Sequence, residues 1–166
     1  MDHSVPRKGR HLVMVRVFIL ALSIIVLAGC ESIDTGAASR AAMNESIRRE
    51  LPGNYFIGRR MYKVEYKVWG WVREPGKPWN TAKLVMLNEQ RVLAPDRAQG
   101  KLGTDNNYEY RLTGYFSGDT IYEPASNGFY PEFVILGAEV KSTSAPNIYQ
   151  ERRQNDPKVR ILQPPS

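Results

Sequence analysis

Histidine and cysteine are almost missing from this sequence. The 166-residue chain holds two histidines, His3 and His11, and one cysteine, Cys30. One cysteine forms no intramolecular disulfide, and zinc sites built on cysteine pairs are excluded. There is no internal repeat, and no glycine period, heptad pattern or Ser/Thr/Pro tract marks a collagen, coiled coil or mucin-like stalk. Long apolar runs are also absent. The uncharged stretch 17–27 is shorter than the roughly 20 residues that a membrane-spanning helix needs, and extending it back to Leu12 would bury Arg16.

What that stretch does have is a setting. Arg7, Lys8, Arg10 and Arg16 precede it, and Leu27-Ala28-Gly29-Cys30 closes it. A basic region, a short apolar region and small residues at a cleavage point describe an export signal. Leu27-Ala28-Gly29-Cys30 resembles the lipobox of bacterial lipoproteins. The resemblance implies cleavage before Cys30, a thioether-linked diacylglycerol on Cys30 and acylation, typically with palmitate, of the new N-terminus. It implies a membrane partner reached through the lipid. Glu31, where Asp favours inner-membrane retention in enterobacterial lipoproteins, implies the periplasmic face of the outer membrane over the inner membrane.

Cleavage there leaves 137 residues, the 166 less the first 29, and changes the chemistry available. The formal charge falls from +6 to +3, because four basic residues and Asp2 leave with the signal. Both histidines leave too. Ser-His-Asp and Cys-His catalysis and histidine-based metal sites are then excluded in the mature chain.

The mature region reads as mainly β. Residues 30–36 are expected to be a lipid-anchored tether, and 37–53 a helix with Met43, Ile47 and Leu51 on one face, stopped at Pro52-Gly53. A β domain is expected over 54–145. Its first strand is read at 62–68, where Tyr62, Val64, Tyr66 and Val68 alternate with charged residues, bent at Gly70. Further strands are expected at 82–87 with a continuation at 91–93, at 108–116, at 120–122 after a hairpin turn at Ser117-Gly118-Asp119, and at 133–140. Residues 94–107 read as a loop. Residues 146–166 read as a mobile polar tail, with a short edge strand at 158–162. Five strands with glycine bends predict a small five-stranded antiparallel barrel or curled sheet preceded by one N-terminal helix. It resembles the OB-fold in strand count and glycine placement, without the usual helix between the third and fourth strands.

Three constellations carry candidate chemistry. All three tryptophans and nine tyrosines lie in the mature region. If the strand alternation holds, Trp69 and Trp71, with Trp79, form an exposed stacking platform flanked by Lys67 and Arg73, suited to sugar rings or bases. The same residues also fit a β core, where tryptophan is routinely buried. Glu109, Asp119, Glu123 and Glu132 are acids that a glycoside hydrolase pairs, and also ordinary turn and strand-face residues. Asp105, Asn106, Asn107 and Glu109 are oxygen ligands without the EF-hand spacing. Arg59, Arg60, Lys63, Lys67, Arg73 and Lys77 form a basic run suited to anionic lipid, glycan or an acidic partner. The expectation drawn from these is a lipid-anchored cell-envelope lipoprotein with a non-catalytic binding or structural role towards an envelope protein or glycan. No metal or cofactor is expected. A carboxylate-based envelope hydrolase acting on glycan is the alternative, and an OB-like nucleotide or nucleic-acid binding module a further one, which an envelope location disfavours.

Overall fold

The computed structural model describes residues 35–66, 69–160 and 163–166. The chain divides into two units, Met1–Thr35 and Gly36–Ser166, and the fold described here is that of the second. It opens with helix α1 (Thr35–Arg48). Five strands follow: β1 (Phe56–Met61), β2 (Trp69–Arg73), β3 (Lys83–Asn88), β4 (Glu109–Glu123) and β5 (Gly128–Ser142). They close a barrel in the order β1-β2-β3-β5-β4. All neighbours are antiparallel except β3 and β5, which run parallel. This is the connectivity of an OB-type barrel.

Strand alternation builds the interior. Val72, Val85, Leu87, Tyr110, Leu112, Phe133 and Ile135 form one apolar cluster inside the barrel. Gly58 and Gly114 also point inward, where a Cβ would collide with the Leu112 side chain and with the Val134 carbonyl respectively. Side chains of opposite phase on β1 and β2 point outward, yet they are buried as well. Ile57, Met61 and Trp71 pack against Met43 and Ile47 of α1, together with Trp79, Ile148 and Tyr149. The first two strands are therefore sandwiched between the barrel interior and an outer layer.

Several expectations need correction. The first strand is β1, and residues 62–66 are a connection in which Lys63 and Tyr66 exchange backbone hydrogen bonds at 3.2 and 3.0 Å. Lys63 sets this geometry, because its ammonium donates to the carbonyls of Gln154 and Asp156 instead of facing water. Gly70 lies in β2, where a Cβ would come within 2.9 Å of the Arg59 carbonyl. Ser117-Gly118-Asp119 closes no hairpin. β4 runs through it with a register shift between Phe116 and Thr120, eased by the positive φ of Gly118 (93°). The hairpin turn comes at 124–127, where the Glu123 carboxylate accepts from the amides of Ala125 and Ser126 and Asn127 takes φ 52°. The connection from β3 to β4 does hold a short helix, α2 (Pro95–Ala98), and β3 ends at Asn88 without continuing to 91–93. Helix α1 ends before Leu51, which is left 76% exposed. The described part of 158–162 forms no strand, and 161–162 lie outside the described residues.

The segment read as a mobile tail packs instead. Ile148 and Tyr149 are buried in the outer layer, and Gln154 is buried beneath Lys63. Asn155 and Asn147 are hydrogen-bonded to each other at 3.0 Å. Truncating a fully buried isoleucine costs about 2–5 kcal/mol, whereas truncating one in a mobile tail costs almost nothing. Urea unfolding of Ile148→Ala is expected to show the larger loss.

Candidate functional site

Cys30 and Lys67 lie outside the described residues. The structure buries the other candidate residues, Trp71, Trp79 and Arg73 in one outer layer and Trp69 apart from them, as an interior and not as a platform. Trp69 stacks on Tyr66 at 4.4 Å and 6°, and Tyr130 is tilted against it at 4.7 Å. The Trp71 indole donates to the Tyr149 hydroxyl at 2.7 Å. Burial pushes that phenol up to about 12 against the pull of the indole donor and the Arg59 charge. Trp79 lies beneath two guanidinium groups, Arg59 at 5.0 Å and Arg73 at 4.6 Å from its ring centre. All three tryptophans are at most 5% exposed, so no face is left for a sugar or base to stack on. Arg73 is buried with them.

Trp79 and Arg73 are held there by a chain of charges that the strand alternation did not reveal. Arg73 makes a two-pronged contact with Glu50 at 2.6 and 2.8 Å. Glu50 also accepts from Lys141 at 2.6 Å and from the Gly76 amide at 2.9 Å. Lys141 reaches Glu109 at 2.8 Å, and Glu109 accepts twice from Arg59, at 2.8 and 3.1 Å. Arg59 then donates to Asn107 Oδ1 and the Pro146 carbonyl. Five charged residues from five segments thus form one line with its ends clamped on Trp79. Burial alone would raise Glu50, but the donors from Arg73, Lys141 and Gly76 outweigh it and hold its carboxyl at about 2. The contribution of this group is present above pH 4.5, its unfolded value, and is lost as pH falls towards about 2.

A second polar cluster plugs one end of the barrel. Arg60 points inward and meets Glu89 at 2.9 Å, Asp105 at 2.5 Å and Asp96. All four are buried. Asp105 also accepts from the Tyr110 hydroxyl at 2.8 Å, and Asp96 from the amides of Arg97 and Gly103, both at 2.7 Å. Burial, with Asp96 beside it, pushes the Asp105 carboxyl above the usual range, against the pull of Arg60 and Tyr110. Asp96 moves the other way: burial opposes ionisation, but the Gly103 amide and Arg60 prevail. The cluster therefore holds one carboxyl, Asp105, that binds its proton more firmly than usual beside one, Asp96, that gives it up more readily.

The remaining candidate acids are engaged locally. Glu123 caps its hairpin turn, Glu132 accepts from Asn88 at 2.8 Å, and Asp119 is exposed on β4. Asn106 and Asn107 hold Tyr62 and Arg59 and do not converge on a cation. Among the described residues, no group of three or more His, Cys, Asp or Glu is placed to hold a metal ion. Open space lies elsewhere. A groove of about 630 Å³ runs beside β3 between Met86, Leu93, Ile121 and Arg91. A cavity of about 320 Å³ occupies the end of the barrel where β2 ends and β3 begins, between Phe56, Val72, Phe116, Lys77 and Lys83. Of these five, only Lys77 stands out in the sequence. Lys83 carries a signal that the alternation already held, since it is in phase with the core residues Val85 and Leu87. At the hairpin tip Tyr122 and Phe129 pack at 5.2 Å and remain 48% and 70% exposed.

Removing one partner of a buried ion cluster costs about 3–5 kcal/mol. Arg60→Met is expected to lose that much at pH 7 in urea unfolding, with a smaller deficit at pH 4, where the stranded carboxylates take up protons. Asp96→Asn is expected to lose about 2 kcal/mol and Asp105→Asn less, because burial pushes Asp105 towards its neutral form while donors hold Asp96 charged.

No protein-family model, curated protein or solved structure matches the chain, so its chemistry rests on the geometry of its own residues.

Proposed function

We propose that the chain is a lipid-anchored lipoprotein of the bacterial cell envelope, held through Cys30, whose barrel has a non-catalytic binding or structural role. The signal pattern ending in Leu27-Ala28-Gly29-Cys30 supports the anchor, and Glu31 supports the periplasmic face of the outer membrane. The use of the acids is the observation that carries the non-catalytic half. Glu109 is tied to Arg59 and Lys141, Glu123 to its turn and Glu132 to Asn88. A glycosidase needs two carboxyls facing each other across open space, one of them able to give up a proton. These three are spent on holding cations, a backbone turn and a side-chain amide. The OB-type connectivity favours a nucleotide-binding reading only with exposed rings on the β2–β3 face, and Trp69 and Trp71 are buried there.

The exposed Tyr122–Phe129 pair supplies the contact that a protein or glycan partner needs, because aromatic side chains on a turn offer large area at low entropic cost. Cys30→Ser is expected to abolish incorporation of labelled palmitate and move the protein out of the membrane fraction. Continued membrane attachment of that variant, through an uncleaved N-terminus, would overturn the anchor. Phe129→Ser, cross-linked in intact cells, is expected to lose partner adducts that the parent gives while remaining in the membrane.

A further inference from the structure

The interior-facing positions of the barrel differ sharply between its two ends. At the end where β1 and β3 finish, they carry Arg60 and the carboxylates that neutralise it, and the barrel is plugged. At the end where β1 and β3 begin, they carry Phe56, Val72, Phe116 and Lys83, and the cavity of about 320 Å³ opens among them. Phe56 and Phe116 meet each other edge to face at 5.7 Å and both meet Phe133 at 5.1 and 5.2 Å, so the floor is aromatic and continuous with the core. Mouths of β-barrels with apolar floors and a few polar groups are preferred ligand sites.

The rim has a sign. Lys83 Nζ lies 5.0 Å over the Phe116 ring, held by the ring quadrupole and not by a carboxylate. Lys77 stands on the same rim, and neither lysine makes an ion pair among the described residues. Glu74 is the single acid of the rim, and Arg73 is already neutralised by Glu50. Two ammonium groups without an ion-pair partner, Lys83 above the Phe116 ring and Lys77 on the rim, face one carboxylate. Both lysines are exposed at the mouth, so a ligand head can reach them from solvent. The space equals about ten water volumes, which suits an apolar group on the order of ten heavy atoms.

We infer that this mouth binds an acyl chain through its apolar end while Lys77 and Lys83 take its anionic head. Both a free fatty-acid carboxylate and the phosphate of an anionic lipid supply that chemistry. The inference goes beyond the role proposed above and stands whether or not Cys30 is acylated.

The full chain, purified and mixed with phosphatidylcholine nanodiscs, is incubated with decanoate bearing a terminal diazirine, irradiated and mapped by peptide mass spectrometry. Adducts are expected on the segments that carry Phe56, Val72 and Phe116. Unlabelled decanoate should compete, and uncharged decanol should do so about tenfold more weakly, since each rim charge is exposed and contributes modestly. The double variant Lys77→Gln/Lys83→Gln should label about tenfold less. Thr81→Trp, at an exposed rim position outside the core, should block labelling with both charges intact. Competition by phosphatidylglycerol added to the nanodiscs assigns the head to a lipid phosphate, and its absence assigns a free carboxylate. Adducts scattered over the surface, equal competition by decanol, or undiminished labelling of the double variant would overturn the inference.

Discussion

Everything on the outer side of β1 and β2 depends on the ionic line Arg73–Glu50–Lys141–Glu109–Arg59 and the Trp79 ring between its ends. Its members come from the helix-to-β1 connection, β1, β2, β4 and β5, so the line ties the α1 side of the molecule to strands that follow much later in the sequence. Buried ion pairs are poor sources of net stability, because desolvation offsets most of the attraction. Their geometric demands are strict, however, and a partner missing from any point leaves a buried charge unmatched. The line is best understood as what selects one register for β1 against both β2 and β4. The indole of Trp79 completes it by giving two like-charged guanidinium groups a shared, electron-rich surface.

The Arg60 cluster performs a related task inside. A small barrel must close its ends, and larger apolar side chains are one way to do it. Here a guanidinium gathers Glu89 from the end of β3, Asp96 from α2 and Asp105 from the loop before β4. One side chain thereby fixes the whole crossing from β3 to β4, a stretch of irregular backbone with little apolar content of its own. Asp105 carries the cost of that crowding, which is why its proton is retained more firmly than that of Asp96.

Much of this was legible from alternation and spacing. The placement of α1 followed from Met43 and Ile47, and β5 from the apolar run 133–140. A barrel with one preceding helix was expected from five β-prone segments, although two of them are one strand, β4, and β1 was not among them. The misses share a cause. β1 was hidden because Arg59-Arg60 reads as a wet, basic pair, and only the distant Glu89, Asp96, Asp105 and Glu109 make it an interior one. Trp69 and Trp71 fell on a face that alternation marks as outward, which they are, but an outer layer from α1 and residues 146–149 covers Trp71, and Tyr66 and Tyr130 cover Trp69. Local patterns report which side of a strand a residue occupies and not whether something arrives later to cover that side. Lys83 shows the converse: its phase with Val85 and Leu87 was readable, but its place at an open mouth depends on barrel closure.

The position of Ile148 and Tyr149 bears on the order in which the molecule can assemble. They lie beyond β5 in sequence, yet they cover β1, the first strand to be made. During synthesis β1 can pair with β2, but neither its inner nor its outer surface is complete until the chain past residue 149 is free to return. Topologies that postpone contacts in this way fold slowly, because the loop entropy comes before the reward. A polypeptide so arranged stays open for as long as the segment carrying Ile148 and Tyr149 is withheld.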